Sequence, residues 1–146
     1  FIVNLYKIIG MEFKTVTSKT VLSTNGYKAK AASRCHNLNM DWSVDEGGED
    51  SAATPVEYLL AAIGGCVSMT LRVFANHKKW DLGEITVNVI QKKKLTVEGV
   101  ITYVVEEISF EKEISSEQKV KLLAMAEKCP VAQLLKNETK INSKII

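Results

Sequence analysis

The chain has 146 residues, of which 46% are hydrophobic and 25% are charged, and this length is sufficient for a single domain with a buried core. The formal net charge of +2, from 19 basic and 17 acidic residues, gives no reason to expect nucleic acid as a partner. No apolar run reaches the roughly 18 residues that a membrane-spanning helix needs, so we expect no membrane partner either.

The first ten residues, FIVNLYKIIG, precede Met11 and lack the charged leader, apolar stretch and cleavage site of a secretory signal. We therefore expect residues 1–10 to be an upstream segment, residues 11–146 to form one domain, and the protein to be cytoplasmic, where thiols stay reduced. The three cysteines are widely spaced and the chain has two histidines, which argues against a disulfide framework and a zinc site. We expect neither a metal nor a cofactor.

Two strands open the expected domain. Residues 12–24 are rich in Thr and Val, and the Asn25-Gly26 pair that follows is a strong signal for a hairpin turn. A second strand is expected over residues 27–36. An acidic, glycine-containing loop then ends at Thr54-Pro55, which is a favourable helix start.

The remaining elements follow from changes in hydrophobic period. From Val56 to about Lys78 the apolar residues have helical spacing. The alternation in EITVNVI predicts a strand that pairs antiparallel with a second long segment over residues 97–110. A helix over 116–128 capped by Ser116, a short helical piece over 131–136 and a final strand over 139–146 complete an α+β domain.

Cys66 lies about three turns into the predicted central helix, directly after Gly64 and Gly65. Because two glycines cost helix stability, something other than helix propensity placed them there. A thiol this deep in a helix gains little from the helix dipole, so a reactive Cys66 needs a cationic neighbour. Arg72 lies roughly 240° around the same helix, which leaves Arg34 as the candidate. A buried, inert Cys66 is the alternative.

The other two cysteines lie in different surroundings. Cys129 is at a helix end, directly before Pro130, which forces a break. A thiol at such a corner can be exposed and mobile, and a small buried hydrophobe is the alternative. We interpret Cys35, in a strand beside His36, as structural or incidental. The two side chains would point apart on a strand, which is a further argument against a zinc site.

Three segments together resemble the OsmC/Ohr family of thiol-dependent peroxidases. They are TPVEYLLAAIGGCVSM around Cys66, CPV at 129–131, and RCHNLNMD followed by GGED, which looks like the arginine-bearing strand and glycine loop of the YhfA-like branch. The resemblance covers nearly the whole chain from about residue 12.

The resemblance implies an OsmC-like fold with N-terminal strands, a long central helix, a β-hairpin, two further helices and a final strand, in an intertwined homodimer. It also implies a reductase of organic hydroperoxides that protects against oxidative stress. In this family scheme Cys66 attacks the peroxide and becomes a sulfenic acid, Cys129 resolves it as a disulfide, and Arg34 stabilises the Cys66 thiolate. A dithiol then reduces the disulfide.

One position departs from the family pattern. The family's glutamate directly follows the proline, where this chain has Val56. Glu57 is the nearest carboxylate, but it projects from the side of the helix opposite Cys66, roughly 180° away. Glu57 is an accessory candidate through the helix dipole or a salt bridge across the dimer. The departure leaves open an alternative function, a non-catalytic OsmC-like module that senses redox state or binds a small ligand without efficient peroxidase turnover.

Overall fold

The computed structural model describes residues 15–146, which group into two compact units divided after Pro55. The elements in chain order are β1 (Lys19–Leu22), β2 (Ala29–Ser33), β3 (His36–Met40), a 3-10 turn (Val44–Glu46), α1 (Pro55–Lys78), β4 (Ile85–Thr96), β5 (Gly99–Phe110), α2 (Ser116–Ala126) and α3 (Pro130–Lys136). This order confirms the α+β class. The expected upstream segment 1–10 and the first residues of the expected first strand lie outside the described residues, and the single-domain boundary at residue 11 stays a prediction.

The N-terminal unit contains an antiparallel sheet in the strand order β1-β2-β3. The turn expected at Asn25-Gly26 is confirmed between β1 and β2. Gly26 adopts φ +75°, a left-handed conformation that glycine tolerates without strain. The single strand expected over residues 27–36 is wrong. It is interrupted by a tight turn at Arg34 and Cys35, and β2 and β3 pair on either side of that turn.

Asp41 organises the loop that follows β3. Its buried carboxylate accepts hydrogen bonds from the Ser51 hydroxyl and from the backbone amides of Trp42, Glu49 and Ser51. The Ser51 hydroxyl and then these amides hold the pKa of Asp41 below its ordinary value, against the opposing effect of burial. A Cβ on Gly48 would lie 2.0 Å from the Trp42 carbonyl oxygen, so packing requires the second glycine of the GGED segment.

The C-terminal unit is built around α1, whose 24 residues confirm the predicted central helix. One face of α1 is buried in the core of this unit, which comprises Ile63, Val67, Leu71, Ala75, Leu82, Leu122, Ala126, Cys129 and Ala132. By length and composition alone α1 would suit a membrane span, although polar residues interrupt its apolar run. The buried face of α1 contributes to the core of this unit, as expected for the main helix of a globular domain.

The antiparallel pairing predicted for the two long strands is confirmed. β4 and β5 have 12 residues each and pair over their whole length, from Ile85 opposite Phe110 to Thr96 opposite Gly99. The half of the hairpin near Ile85 packs one face against the core, whereas the half near the turn is largely exposed. The hairpin thus supplies one wall beside α1.

The boundaries of α2 differ slightly from those expected. The Ser115 hydroxyl accepts a hydrogen bond from the Gln118 amide, and the Gln118 side chain accepts one from the Ser115 amide. Ser115, rather than Ser116, is therefore the cap, in a reciprocal capping box. The helix ends at Ala126 rather than Lys128.

The final strand expected over residues 139–146 is wrong. Residues 137–146 have no regular secondary structure. The alternating apolar positions that suggested a strand, Ile141 and Ile145, are exposed. A strand needs a neighbour to satisfy its backbone hydrogen bonds, and no described strand pairs with this segment.

Candidate functional site

Cys66 lies between the buried and the exposed faces of α1. Its side chain packs on the core but stays half-buried rather than enclosed. On the adjoining face, Leu59, Met69 and Val73 are exposed, the last two by 70% and 68%. The Arg72 guanidinium donates to a backbone carbonyl in the loop before β4, which agrees with the expectation that it points away from Cys66. The Cys66 thiol is therefore reachable from solvent.

Cys129 is fully buried, with 0% of its surface exposed, at the corner between α2 and α3. Pro130 is the first residue of α3, one residue before the expected start, and the thiol is buried in the core rather than exposed. Burial is the main cause that raises the pKa of the Cys129 thiol above its ordinary value. The backbone amides of Val131 and Ala132 oppose this shift, although neither makes a capping hydrogen bond to Cys129.

The Cys66 and Cys129 side chains are close enough for Cys66 to influence the ionisation of Cys129, and Cys66 packs against the core cluster that contains Cys129. This proximity is a further cause that raises the pKa of Cys129, because a thiolate is disfavoured beside a second ionisable sulfur. Both residues are free cysteines. The structure thus brings together the two thiols that the sequence singled out, one accessible and one buried.

The two glycines before Cys66 lie in different surroundings. Gly64 is buried against β4, where a Cβ would lie 3.1 Å from Cγ2 of Val89 and 3.5 Å from the carbonyl oxygen of Val87. A Cβ on Gly65 would meet nothing within 4 Å. Gly65 instead faces a groove of about 330 Å³ between α1 and β4. The groove is also lined by Glu57, Leu60 and Ala61.

Arg34 lies in the N-terminal unit, at the tight turn between β2 and β3 rather than within a strand. Its backbone is left-handed, with φ +56°, which is uncommon for a residue other than glycine. The side chain is exposed, and within residues 15–146 it takes part in no salt bridge. Its role at the Cys66 thiol stays a prediction.

The expectation that Cys35 and His36 point apart is wrong. The Cys35 sulfur lies 3.7 Å from Nε2 of His36, because the turn ends the strand alternation on which the expectation depended. Cys35 is exposed, so it does not serve as a buried structural thiol. No three His, Cys, Asp or Glu side chains of the described residues gather into a metal site.

The start of α1 holds Val56, the one position that departs from the family pattern, and Glu57, the accessory candidate. Val56, in place of the family's glutamate, is 46% exposed. Glu57 lines the groove beside Gly65, on a different side of α1 from Cys66, as helical geometry predicts. Glu57 is therefore placed to influence the groove rather than the thiol pair.

Val87 and Val89 are residues of this site that the sequence reasoning did not single out. The alternation in EITVNVI predicted that they share a face, but not that this face meets the glycines. The glycines themselves carried the signal, since a glycine inside a regular element often marks the close approach of another backbone.

Comparisons with known proteins agree with the fold. The family model of the OsmC-like protein matches residues 48–144, whereas a search of curated proteins finds no match. An organic hydroperoxide resistance protein OsmC from Legionella pneumophila superposes with a TM-score of 0.67 at 20% identity, covering 86% of this chain and 92% of that one.

Two further solved structures have the same fold. An organic hydroperoxide resistance protein from Elizabethkingia anophelis has a TM-score of 0.66 at 19% identity, over 86% of this chain and 91% of that one. An OsmC-like protein of unknown function from Vibrio cholerae has a TM-score of 0.65 at 13% identity, over 92% of this chain and 100% of that one. At such identities the likeness concerns the fold alone, and the YhfA-like branch stays a prediction. Because the family model spans well over half of the sequence, the chain belongs to the OsmC-like protein family.

Proposed function

We propose that this protein is a cysteine-based reductase of organic hydroperoxides that protects against oxidative stress. The observation that carries the proposal is the proximity of the half-buried Cys66 to the buried Cys129 in the same core cluster. Family membership and the hydroperoxide resistance proteins among its structural relatives support the same chemistry. The apolar neighbours of Cys66 on α1, which include Ile63, Val67 and Met69, favour an organic over an inorganic peroxide.

Cys66 is the peroxidatic thiol in this proposal, because it is the accessible member of the pair. Its thiolate attacks one peroxide oxygen, so that an S–O bond forms and the O–O bond breaks. The departing alkoxide takes up a proton, which leaves an alcohol and a Cys66 sulfenic acid. The peroxide is reduced by two electrons and the sulfur is oxidised by two.

Cys129 is the resolving thiol. It attacks the sulfenic sulfur of Cys66, an S–S bond forms, and the hydroxyl leaves with the proton of Cys129 as water. The raised pKa of Cys129 suits this order of events, because a neutral, buried thiol does not compete with Cys66 for peroxide. A dithiol from a separate molecule then restores both thiols by exchange.

Stopped-flow oxidation of the reduced protein by cumene hydroperoxide and by hydrogen peroxide, followed by mass spectrometry, tests the proposal. We expect faster oxidation by cumene hydroperoxide, ending in a Cys66–Cys129 disulfide. Cys66→Ser should abolish the reaction, and Cys129→Ser should stop it at the sulfenic acid. Cys35→Ser is the matched control, since it removes an exposed thiol outside the pair and should change nothing. Equal, slow rates for both peroxides would contradict the proposal.

Arg34 is the proposed cation that stabilises the Cys66 thiolate. Arg72, the other arginine, is engaged with a backbone carbonyl, which supports this choice. Arg34→Ala should raise the pKa of Cys66 and slow its alkylation by iodoacetamide at neutral pH, whereas Arg34→Lys should retain part of the effect. An alkylation rate that does not respond to either substitution would remove Arg34 from the mechanism.

The proposal includes a cytoplasmic homodimer. Leu59, Met69 and Val73 are exposed and, together with the half-buried Cys66, recur at heptad spacing along α1. An apolar seam of this kind favours packing against a second helix. Sedimentation of the reduced protein should give twice the chain mass, and Met69→Glu should shift it towards the monomer. A monomer at micromolar concentration would contradict this part of the proposal.

A non-catalytic module is the second candidate function. It is favoured by Val56, because an apolar side chain cannot orient an arginine at the position of the family's glutamate. In that case the thiol pair would sense redox state or the groove would bind a small ligand, without efficient turnover. Val56→Glu separates the two: a large gain in peroxidase rate would favour the module, and an already fast unaltered protein would favour the enzyme.

A further inference from the structure

We infer that Gln133 is a positioning residue for the resolving thiol: its side chain ties α3 to the end of α2 and so holds Cys129 where its sulfur can attack the Cys66 sulfenic acid. The inference rests on the proposed function, in which Cys129 resolves Cys66. It assigns to Gln133 a part in the second chemical step alone, separate from the reaction of Cys66 with peroxide.

The corner that carries Cys129 has little helical support of its own. α2 ends at Ala126 and α3 begins at Pro130, so Cys129 lies between the two helices. α3 has only seven residues, and a helix this short is not stable by itself in water. Pro130 contributes no backbone N–H, and the Cys129 side chain does not cap α3. The placement of Cys129 therefore depends on the tertiary contacts of α3.

Apolar packing supplies one part of these contacts. Ala132 is buried in the core, and Val131 packs against it. Because the hydrophobic effect is non-directional, these two side chains hold α3 against the core without fixing its orientation relative to α2. A hydrogen bond across the corner adds the direction that this packing lacks.

Gln133 makes that directional contact. Its Nε2 donates to the carbonyl oxygen of Glu127 at 2.6 Å. Glu127 is the C-cap of α2, and the carbonyls at a helix C-terminus have no partner within the helix. The backbone N–H of Gln133 donates to the Cys129 carbonyl oxygen at 2.9 Å. One residue of α3 thus binds both the end of α2 and Cys129 itself.

The carboxamide of Gln133 is also held from its other side. Its Oε1 accepts a hydrogen bond from Nδ2 of Asn137 at 3.0 Å, and the backbone N–H of Asn137 donates to the Gln133 carbonyl oxygen at 3.0 Å. Both the donor and the acceptor of the carboxamide are therefore engaged. This double engagement keeps Nε2 directed at the end of α2.

The second chemical step depends on this placement more than the first. The Cys129 sulfur attacks the sulfenic sulfur of Cys66, an S–S bond forms, the S–O bond breaks, and the hydroxyl leaves as water with the proton of Cys129. An S–S bond has strict distance and dihedral requirements, and misplacing a reacting group by about 1 Å can cost about 100-fold in rate. Peroxide attack takes place at Cys66 on α1 and does not involve the corner. Loss of the Gln133 side-chain bond should therefore slow resolution without slowing peroxide attack.

Trapping of the sulfenic acid by dimedone, after the reduced protein is mixed with cumene hydroperoxide, separates the two steps. Mass spectrometry gives the ratio of the Cys66 dimedone adduct to the Cys66–Cys129 disulfide, and stopped-flow oxidation gives the rate of peroxide attack. Gln133→Met removes the donor and keeps the length and helix propensity of the side chain. The ratio should rise by about tenfold or more, while peroxide attack stays within about twofold. Gln133→Lys retains an N–H donor and should restore most of the original ratio.

Two controls accompany the test. The same substitutions in the Cys129→Ser background, in which no disulfide forms, calibrate how fast dimedone reaches Cys66. Ser115→Ala removes one side-chain hydrogen bond at the other end of α2 and leaves the corner intact, so it should lower stability without changing the ratio.

Three results would overturn the inference: an unchanged ratio in Gln133→Met, an equal rise in Ser115→Ala, or no recovery in Gln133→Lys. In each of these cases both thiols still react, so the proposed function would stand. An unaltered protein that forms neither the adduct nor the disulfide would refute the proposed function and this inference with it.

Discussion

Alanine substitutions at the two adjacent glycines of α1 should have different effects on stability, with Gly64→Ala the less stable of the two variants. Gly64→Ala places a methyl group 3.1 Å from Cγ2 of Val89, which is tighter than ordinary van der Waals contact, and 3.5 Å from the Val87 carbonyl oxygen. Gly65→Ala places the same methyl group in open space. The two variants share the chemical change, the helix and nearly the same depth in it, so they differ chiefly in what the new methyl group meets.

The magnitudes follow from two opposing effects. Alanine is favoured over glycine in a helix interior by about 0.8–1.0 kcal/mol, and this gain applies to both variants. Overpacking at Gly64 costs about 1–3 kcal/mol, because Val89 is β-branched and cannot easily change rotamer. We therefore expect Gly65→Ala to stabilise the protein by up to about 1 kcal/mol. Gly64→Ala should be less stable than Gly65→Ala by about 1–3 kcal/mol, since the propensity gain cancels in the comparison.

Urea unfolding of the reduced proteins, followed by circular dichroism, measures this difference as a shift in midpoint at constant slope. Val89→Ala provides a further check, because it removes the methyl group that Gly64→Ala would press on. The difference between the two alanine variants should shrink in the Val89→Ala background. If Gly64→Ala proves as stable as Gly65→Ala, the close approach of α1 to β4 does not hold and the reasoning fails.

Three further predictions concern other parts of the chain. Asp41→Asn should lower the melting temperature at pH 7. The ionised Asp41, whose pKa is lowered, stabilises the fold above the ordinary value of 3.8, and this contribution is lost as pH falls through the folded value. The melting temperature of the variant should therefore change less with acid pH. The raised pKa of Cys129 acts in the opposite direction: its stabilisation is in place below 9.0 and is lost as pH rises through the folded value. Cys129→Ala should therefore reduce the loss of stability that melting curves show above about pH 9. Ser115→Ala removes the cap of α2 and should lower the free energy of unfolding by about 1 kcal/mol, whereas Ser116→Ala, one residue on, should have little effect.

The elements that the sequence predicted correctly are long ones, in which a single buried face sets the spacing of the apolar residues. Helical spacing of apolar residues located α1 from Pro55 to Lys78, and alternation located the β4–β5 hairpin. In both cases apolar residues recur at the period of the buried face over many positions. A few polar residues on that face do not obscure the period. Short elements offer too few residues for such averaging.

The errors arose where a local interaction or a distant partner decided the outcome. The turn at Arg34 and Cys35 carries no glycine, asparagine or proline, so the usual turn signals were missing. The segment 139–146 has the alternation of a strand, but pairing depends on a neighbouring strand that local sequence does not specify. The contact of Cys66 with Cys129 depends likewise on how α2 and α3 pack on α1, although each cysteine was a candidate on its own.

The two thiols lie in elements of different length, and we expect this difference to decide which side moves on oxidation. Cys66 lies in the middle of a 24-residue helix, and its carbonyl oxygen also accepts a hydrogen bond from the Thr70 hydroxyl at 2.8 Å. Cys129 lies between two helices, and α3 beyond it has only seven residues. A disulfide has stricter geometry than a thiol contact, so the shorter element should adjust. We expect hydrogen exchange of the oxidised protein to lose protection over residues 130–136 while α1 around Cys66 keeps it, because opening a short helix breaks fewer contacts than bending the core helix. Lost protection in α1 with α3 unchanged would instead place the movement on the peroxidatic side.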